Sequence, residues 1–192
     1  MTDSIIATLV SLVPFGPEES PRIVELCSGD GRLAEALLTR FPRATLAALE
    51  GDASRRREVA ARLAVFGERG RVAAFEVTGL DWWDRMFGAD VVVSAGGLNR
   101  LTDAKKQYLY KAAADRVSER GALLIADRVT AQHPRASAPA ADTFPAALFH
   151  QLVWLKHAGF AAVDCFGVEE GLAVFGGFKQ AAGSAAPLRA DS

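Results

Sequence analysis

The stretch "ELCSGDG" at residues 25–31 sets a carboxylate, Glu25, inside an apolar run and follows it with two glycines, Gly29 and Gly31. Glycine is needed where the backbone takes a positive φ or where a ligand comes close to the main chain. A helix opening at about Arg32 would offer unpaired N–H groups and a partial positive charge to an anionic ligand group. A second acid, Glu50, ends the next apolar run, at a spacing that suits hydrogen bonds to the hydroxyls of a ribose. Gly29, Gly31 and Glu50 therefore predict a nucleoside-bearing ligand. Read as Gly29-x-Gly31-x-x-Ala34, the same loop also satisfies the dinucleotide fingerprint, which keeps an NAD(P)-dependent oxidoreductase open. Three features count against that alternative. Glu25 lies within the strand ahead of the loop, the chain closes on a hairpin rather than a second mononucleotide half, and no Tyr-x-x-x-Lys pair is present.

Five short apolar runs must position these residues: 22–27, 45–50, 71–77, 89–95 and 121–127. Each is nearly continuous in apolar residues, as expected of strands covered on both faces. Between them lie helical spacings: Leu33, Leu37 and Phe41; Val59, Leu63 and Phe66; Leu109, Ala113 and Val117, the last set behind a cap at Thr102 or Asp103. Only the link around "DWWDRMF" is too short for more than a turn or two. This alternation demands an α/β fold with a doubly wound, mostly parallel sheet and right-handed crossovers.

The end of the chain breaks the rhythm. A helix over 143–160 leads into two strand-like runs, 161–167 and 172–178, joined only by "VEEG". So short a link joins antiparallel neighbours, which gives a seven-stranded sheet with one reversed strand from a C-terminal hairpin. The Ala-, Pro- and Ser-rich segment 128–143 is too long for a passive connection and reads as a lid or binding loop. Residues 1–180 form the expected single domain, and low-complexity residues 181–192 a flexible tail. The N-terminal "MTDSIIATLVSLVPF" reads as an amphipathic helix over one end of the sheet. It carries no leader signature and is too short to span a bilayer.

In this order and spacing the motifs resemble those of the class I S-adenosylmethionine-dependent methyltransferases, over about residues 21–179. "VELCSGDG" is similar to the family's glycine-rich motif, and "ALEGD" to its second, with Glu50 as the ribose-binding acid and Gly51 beside it. "ADVVVSAGGLNRL" resembles the fourth-strand motif next to the methionine portion and the acceptor, which implies Ser94, Ala95 and Gly96 as cofactor neighbours. "VSERGALLIAD" and "WLKHAGFAAVDCFGVEEGLAVFGGFK" resemble the fifth strand and the closing helix with its hairpin. The resemblance implies a Rossmann-like methyltransferase fold, S-adenosylmethionine as cofactor and S-adenosylhomocysteine as product.

It also gives Glu25 two roles: balancing the cofactor's ammonium group, or bracing the loop amides. The chain departs from the family pattern twice. Cys27 stands where a glycine is usual, so its Cβ faces the amino-acid portion of the cofactor. After the third strand, where an acid often reads the adenine amino group, this chain has Thr78. Gly79 and Leu80 follow it, Asp81 is a substitute acid, and Leu80 or Trp82 would pack on the adenine.

Methyl transfer from a sulfonium is an in-line displacement in which alignment supplies much of the rate. A general base is needed only if the acceptor must lose a proton. The candidates are His150 with Trp154 one turn on, Asp127 at the end of the fifth strand, and His133 in the long loop. Asn99 and Arg100 follow the fourth strand, and His157 suits a helix C-terminus.

The formal net charge of −1 argues against a general nucleic-acid binder, and the Arg55-Arg56-Arg57 cluster reads as a solvated helix face. Two cysteines, Cys27 and Cys165, fit neither a disulfide framework nor a zinc site and suit a reduced, cytoplasmic setting. With no insert of domain size, the expected acceptor is a small molecule rather than a nucleic acid or a membrane, and a homodimer is left open. Two further readings remain: an RNA methyltransferase, and a protein that binds S-adenosylmethionine or S-adenosylhomocysteine without catalysis.

Overall fold

Residues 1–79, 81–130 and 143–180 are described by a computed structural model. The helix α1 (Asp3–Ser11) precedes β1 (Arg22–Leu26), α2 (Arg32–Arg40), β2 (Thr45–Glu50), α3 (Ala53–Leu63) and β3 (Gly70–Ala74). The four-residue α4 (Trp82–Arg85) then leads to β4 (Val91–Ala95), α5 (Asp103–Arg116) and β5 (Ala122–Arg128). Last come α6 (Leu148–Ala158), β6 (Ala162–Glu169) and β7 (Leu172–Phe178). The strands form one sheet in the order β3-β2-β1-β4-β5-β7-β6. The first five pair in parallel, and β7 runs antiparallel to both β5 and β6. The expected reversed strand is therefore β7, inserted beside β5, while β6 forms the edge.

Two apolar layers hold the sheet. On one face Ile5, Leu9, Leu33, Leu37 and Leu63 from α1, α2 and α3 pack on Ile23, Leu46 and Val93. On the other, Leu109, Tyr110, Ala113 and Leu155 from α5 and α6 pack on Leu26, Val92 and Leu123. Strands β4 and β5 are buried on both faces, which explains their unbroken apolar sequence. The expected cap appears at Thr102, whose hydroxyl accepts the Lys105 N–H at 3.5 Å. Among the described residues no helix is long and apolar enough to cross a membrane.

Two expected boundaries and one placement differ. The helix drawn from residue 143 begins at Leu148. The backbone before it is committed elsewhere: the Phe144 N–H donates to Asn99 O (2.5 Å), and Ala146 O accepts the Thr130 N–H (3.2 Å). The third strand ends at Ala74, not at residue 77. Phe75 and Val77 beyond it are buried and extend the apolar pattern, and the Phe75 N–H still donates to Glu50 O at 3.2 Å. Helix α1 lies on a face of the sheet beside α2, with only its first residues near the strand tips. Residues 131–142 and the expected tail, 181–192, lie outside the described residues.

Candidate functional site

The chain runs from β1 outward through β2 to β3 and then returns to β4 on the other side of β1. This reversal opens a crevice beyond the carboxyl ends of β1 and β4, the place where doubly wound sheets bind ligands. The glycine loop borders it. Gly29 and Gly31 take φ of +57° and +78°. Gly31 also seats the start of α2 against α3, where a Cβ would meet Val59 at 3.2 Å. Leu49 O receives the Ser28 N–H (3.1 Å), and Ser28 O receives the Gly31 N–H (2.8 Å).

Glu50, only 7 % exposed, is turned into this loop. Its Oε2 accepts the Gly29 N–H at 2.8 Å and its Oε1 the Asp52 N–H at 3.0 Å. The brace expected as one role of Glu25 is thus supplied by Glu50, while the helix cap beside it is Asp52. Each carboxylate oxygen keeps a second lone pair for a ligand hydroxyl. Arg56 fastens the same turn by donating to the carbonyls of Glu50 and Gly51. Of the three arginines expected on a solvated face, Arg55 and Arg57 are exposed and Arg56 is not.

Glu25 is 1 % exposed, and its Oε2 has no hydrogen-bond partner. Burial pushes its carboxyl up to about 8, against a smaller opposing hydrogen bond from Ser28, and the charges of Asp30 and Glu50 push the same way. Near neutral pH this carboxyl is therefore mostly protonated, and a cation set beside it would favour its charged form.

Cys27 has a φ of +59°, the left-handed region that favours glycine. Its side chain is turned onto Gly97 in the turn after β4, where a Cβ would lie 2.7 Å from Cys27 Cβ. The thiol fills space between the β1 and β4 tips. Burial raises its pKa to about 12, which holds it in the thiol form near neutral pH. Ser94 joins the same two strands, its hydroxyl donating to Leu26 O at 3.0 Å. Ala95 and Gly96 line a cavity at the strand tips, and a Cβ on Gly96 would meet nothing within 4 Å.

At the β3 tip the expected reader of an adenine, Thr78, has its hydroxyl on Glu76 (2.9 Å), which also accepts the Thr78 N–H at 3.1 Å. Arg100 approaches Glu76 at 3.7 Å. Gly79 N–H closes the turn onto Glu76 O at 2.9 Å. Asp81 is paired with Arg85 on α4 at 3.2 Å. Glu76 is thus the first acid beyond β3. Drawing the strand to residue 77 hid it, although "FEVT" carried the signal. Leu80 and the side chain of Trp82 lie outside what is described.

Asp127 ends β5 and is 3 % exposed. Its carboxyl accepts the Arg128 N–H at 2.7 Å and also the backbone amides of Asn99 and Leu98, tying the β4–α5 turn to β5. Burial raises it to about 6 despite those bonds and the nearby Lys106. Lys106 is buried on α5, donates to Phe144 O, and is held below the usual lysine range by burial. Deeper, the Tyr110 hydroxyl donates to Gln151 Oε1 at 2.6 Å. This buried polar set is not among the sequence expectations: Lys106 and Gln151 share the apolar stripes of Leu109 and Leu155, but their polar types give no local sign of burial.

Asp127, Asn99, Gly96, Thr2 and Leu172 share a cavity of about 370 Å³ at the strand tips. His150 is exposed on the first turn of α6, its ring 6.1 Å from that of Trp154. Among the described residues no hydrogen bond joins it to Asp127 or to the glycine loop. His133 lies outside the described residues. No cluster of metal-binding side chains occurs among the described residues.

No protein-family model matches the chain, and no curated protein matches it in sequence. Solved structures do match. The S-adenosylmethionine-dependent methyltransferase SibL in its apo form is 20 % identical, with 92 % of this chain and 54 % of that one aligned at a TM-score of 0.69. An O-methyltransferase family protein from Burkholderia thailandensis is 16 % identical, with 93 % and 56 % aligned at a TM-score of 0.76. Human N-acetylserotonin methyltransferase in complex with SAM is 16 % identical, with 92 % and 52 % aligned at a TM-score of 0.65. The chain spans about half the length of each. It has the Rossmann-like fold that these methyltransferases share.

Proposed function

We propose that the chain binds S-adenosylmethionine in the crevice at the β1 and β4 tips and transfers its methyl group to a small molecule held beside Asp127. The observation that carries this reading is the buried Glu25 carboxyl with an unpartnered oxygen behind the glycine loop. A ligand bearing an ammonium group completes it. A dinucleotide would set a pyrophosphate against the same carboxyl, with Asp30 and Glu50 close by. The methyltransferase relatives in fold agree with this choice, although a shared fold does not fix a reaction.

When bound, S-adenosylmethionine supplies a methyl group on a sulfonium, a leaving group that needs no acid. The protein's work is then positioning. Glu25 balances the ammonium. Glu50 holds the loop through Gly29 and offers its remaining lone pairs to the ribose. Glu76, beyond β3, takes the adenine amino group in place of Thr78. The α2 N-terminus favours the ligand carboxylate. Asp127 faces the acceptor cavity and, mostly ionised above about pH 6, accepts the acceptor's proton.

A thermal-shift panel tests the assignment. S-Adenosylmethionine and S-adenosylhomocysteine are expected to raise Tm, and NAD and NADP to leave it unchanged. The opposite pattern would make the crevice a dinucleotide site. In a turnover assay with a phenol or amine acceptor, Asp127→Asn is expected to lower kcat by about tenfold or more while S-adenosylhomocysteine still binds. The wild-type rate should fall as pH drops through about 6, where Asp127 takes up its proton. If His150→Ala lost the rate and Asp127→Asn kept it, the proton would belong to His150.

A further inference from the structure

The opposite end of the sheet carries a second concave site. Among the described residues, the only helix in the link from β3 to β4 is the four-residue α4. Ala47 and Ala73, which face the same side of β2 and β3 as the short helix, are left partly exposed. Beneath α4, where the strands begin, a cavity of about 350 Å³ results, a size that suits a small ligand. Val24 and Ala47 form its apolar floor, Phe87 stands beside it at 68 % exposure, and four arginines line it: Arg22, Arg69, Arg71 and Arg85.

The arginines are not equivalent. Arg85 is neutralised by Asp81 at 3.2 Å. Arg69 is fixed by the carbonyls of Leu38, Phe41 and Ala44, at 3.3 to 3.4 Å, and lies over the Phe66 ring at 5.3 Å, yet it forms no ion pair among the described residues. Arg22 and Arg71 likewise form none there. Arg22 is positioned by its main chain: its N–H donates to Asp90 Oδ2 at 2.8 Å, and its carbonyl receives the Asp90 N–H at 2.7 Å. Its guanidinium then lies against Gly88, at a φ of +70°, where any Cβ would run into Nη1. Against these cations the cavity lining offers one further acid, Glu68. Three guanidinium groups without carboxylate partners among the described residues thus line an apolar floor, where an oxyanion would offset their like charge. Planar guanidinium forks match phosphate and carboxylate oxygens in pairs.

We infer that this cavity is a binding site for a small oxyanionic ligand, with its phosphate or carboxylate held between Arg22 and Arg71 and an apolar or planar body laid on Val24, Ala47 and Phe87. The site lies at the strand ends opposite the glycine loop and is independent of methyl transfer.

Titrations with inorganic pyrophosphate, adenosine 5′-triphosphate and phthalate test it on the full chain at low ionic strength. At least one probe should bind, and the double variant Arg22→Ala/Arg71→Ala should weaken that binding by about tenfold or more. Both side chains are exposed, so the variant should fold, and its S-adenosylhomocysteine affinity should match the wild type. Arg71→Glu should weaken the probe further, whereas Glu50→Ala should leave it bound. Tighter binding of adenosine 5′-triphosphate than of pyrophosphate would add the planar body to the recognised chemistry, and equal binding would confine it to the oxyanion. The inference is overturned if no probe binds the wild type, or if binding survives in the double variant. Tight binding of single-stranded RNA that pyrophosphate does not compete away would also overturn it.

Discussion

Glutamine in place of Glu25 is expected to stabilise the ligand-free protein at pH 8 and, in the same molecule, to weaken S-adenosylmethionine binding. The first effect follows from proton linkage. Burial raises this carboxyl from 4.5 to about 8, so between those values the folded state holds a proton that the unfolded state has released. Stability therefore falls as pH rises through that interval and levels off above it. At about 1.36 kcal/mol per pH unit the loss is on the order of 5 kcal/mol. Asp127, raised from 3.8 to about 6, adds a smaller loss of the same sign at lower pH. Glu25→Gln removes the larger part, and urea denaturation at several pH values should show a flatter profile for the variant. The second effect follows from charge. An incoming ammonium group returns Glu25 to its ionised form, so binding near neutral pH should release a proton, visible by calorimetry in buffers of different ionisation enthalpy. Glutamine cannot supply that charge, and affinity should fall by about tenfold or more. A variant with wild-type affinity and wild-type pH dependence would remove Glu25 from both roles.

Glu50→Ala is expected to fail twice over. The amides of Gly29 and Asp52 lose their acceptor, which costs about 1–3 kcal/mol, tempered by the exposure of Asp52. The loop that Gly29 anchors then loosens, and the ribose loses its charged partner. Together these should weaken S-adenosylhomocysteine by about tenfold or more. Glu50→Gln, which keeps one oxygen, should recover part of the stability and less of the affinity. Calorimetry beside thermal denaturation separates the two effects. Lower Tm with unchanged affinity would make Glu50 a brace alone.

Much of the fold was legible because burial on both faces writes an unmistakable pattern: "DVVVSA" and "ALLIAD" could be little else than interior strands. The hairpin was legible because "VEEG" leaves no room for a crossover. The glycine loop was legible because Gly29 and Gly31 are needed for their φ angles. What escaped has a common cause. Phe75 and Val77 are buried past the end of β3, so the apolar pattern runs on beyond Ala74 and conceals Glu76 between them. Residues 143–147 include Pro145, and Asn99 and Thr130 claim the backbone groups of Phe144 and Ala146, so the helix starts later than the apolar pattern suggests. Lys106 and Gln151 lie on the apolar stripes of their helices, three residues before Leu109 and four before Leu155, and it is their polar type rather than their spacing that hides their burial. The engagement of Glu50 with Gly29 joins groups 21 positions apart, which no local spacing reveals.

The place of β7 governs the order in which the molecule can be completed. The last-made strand of the sheet, Leu172–Phe178, is an interior one, clasped by β5 on one side and β6 on the other. While the chain is still being synthesised, β5 therefore presents a bare, largely apolar edge, and β6 has no strand to pair with. Such an edge invites pairing with a neighbouring nascent chain. Speed of closure by the final hairpin, rather than the strength of the finished sheet, then governs how much newly made protein escapes aggregation.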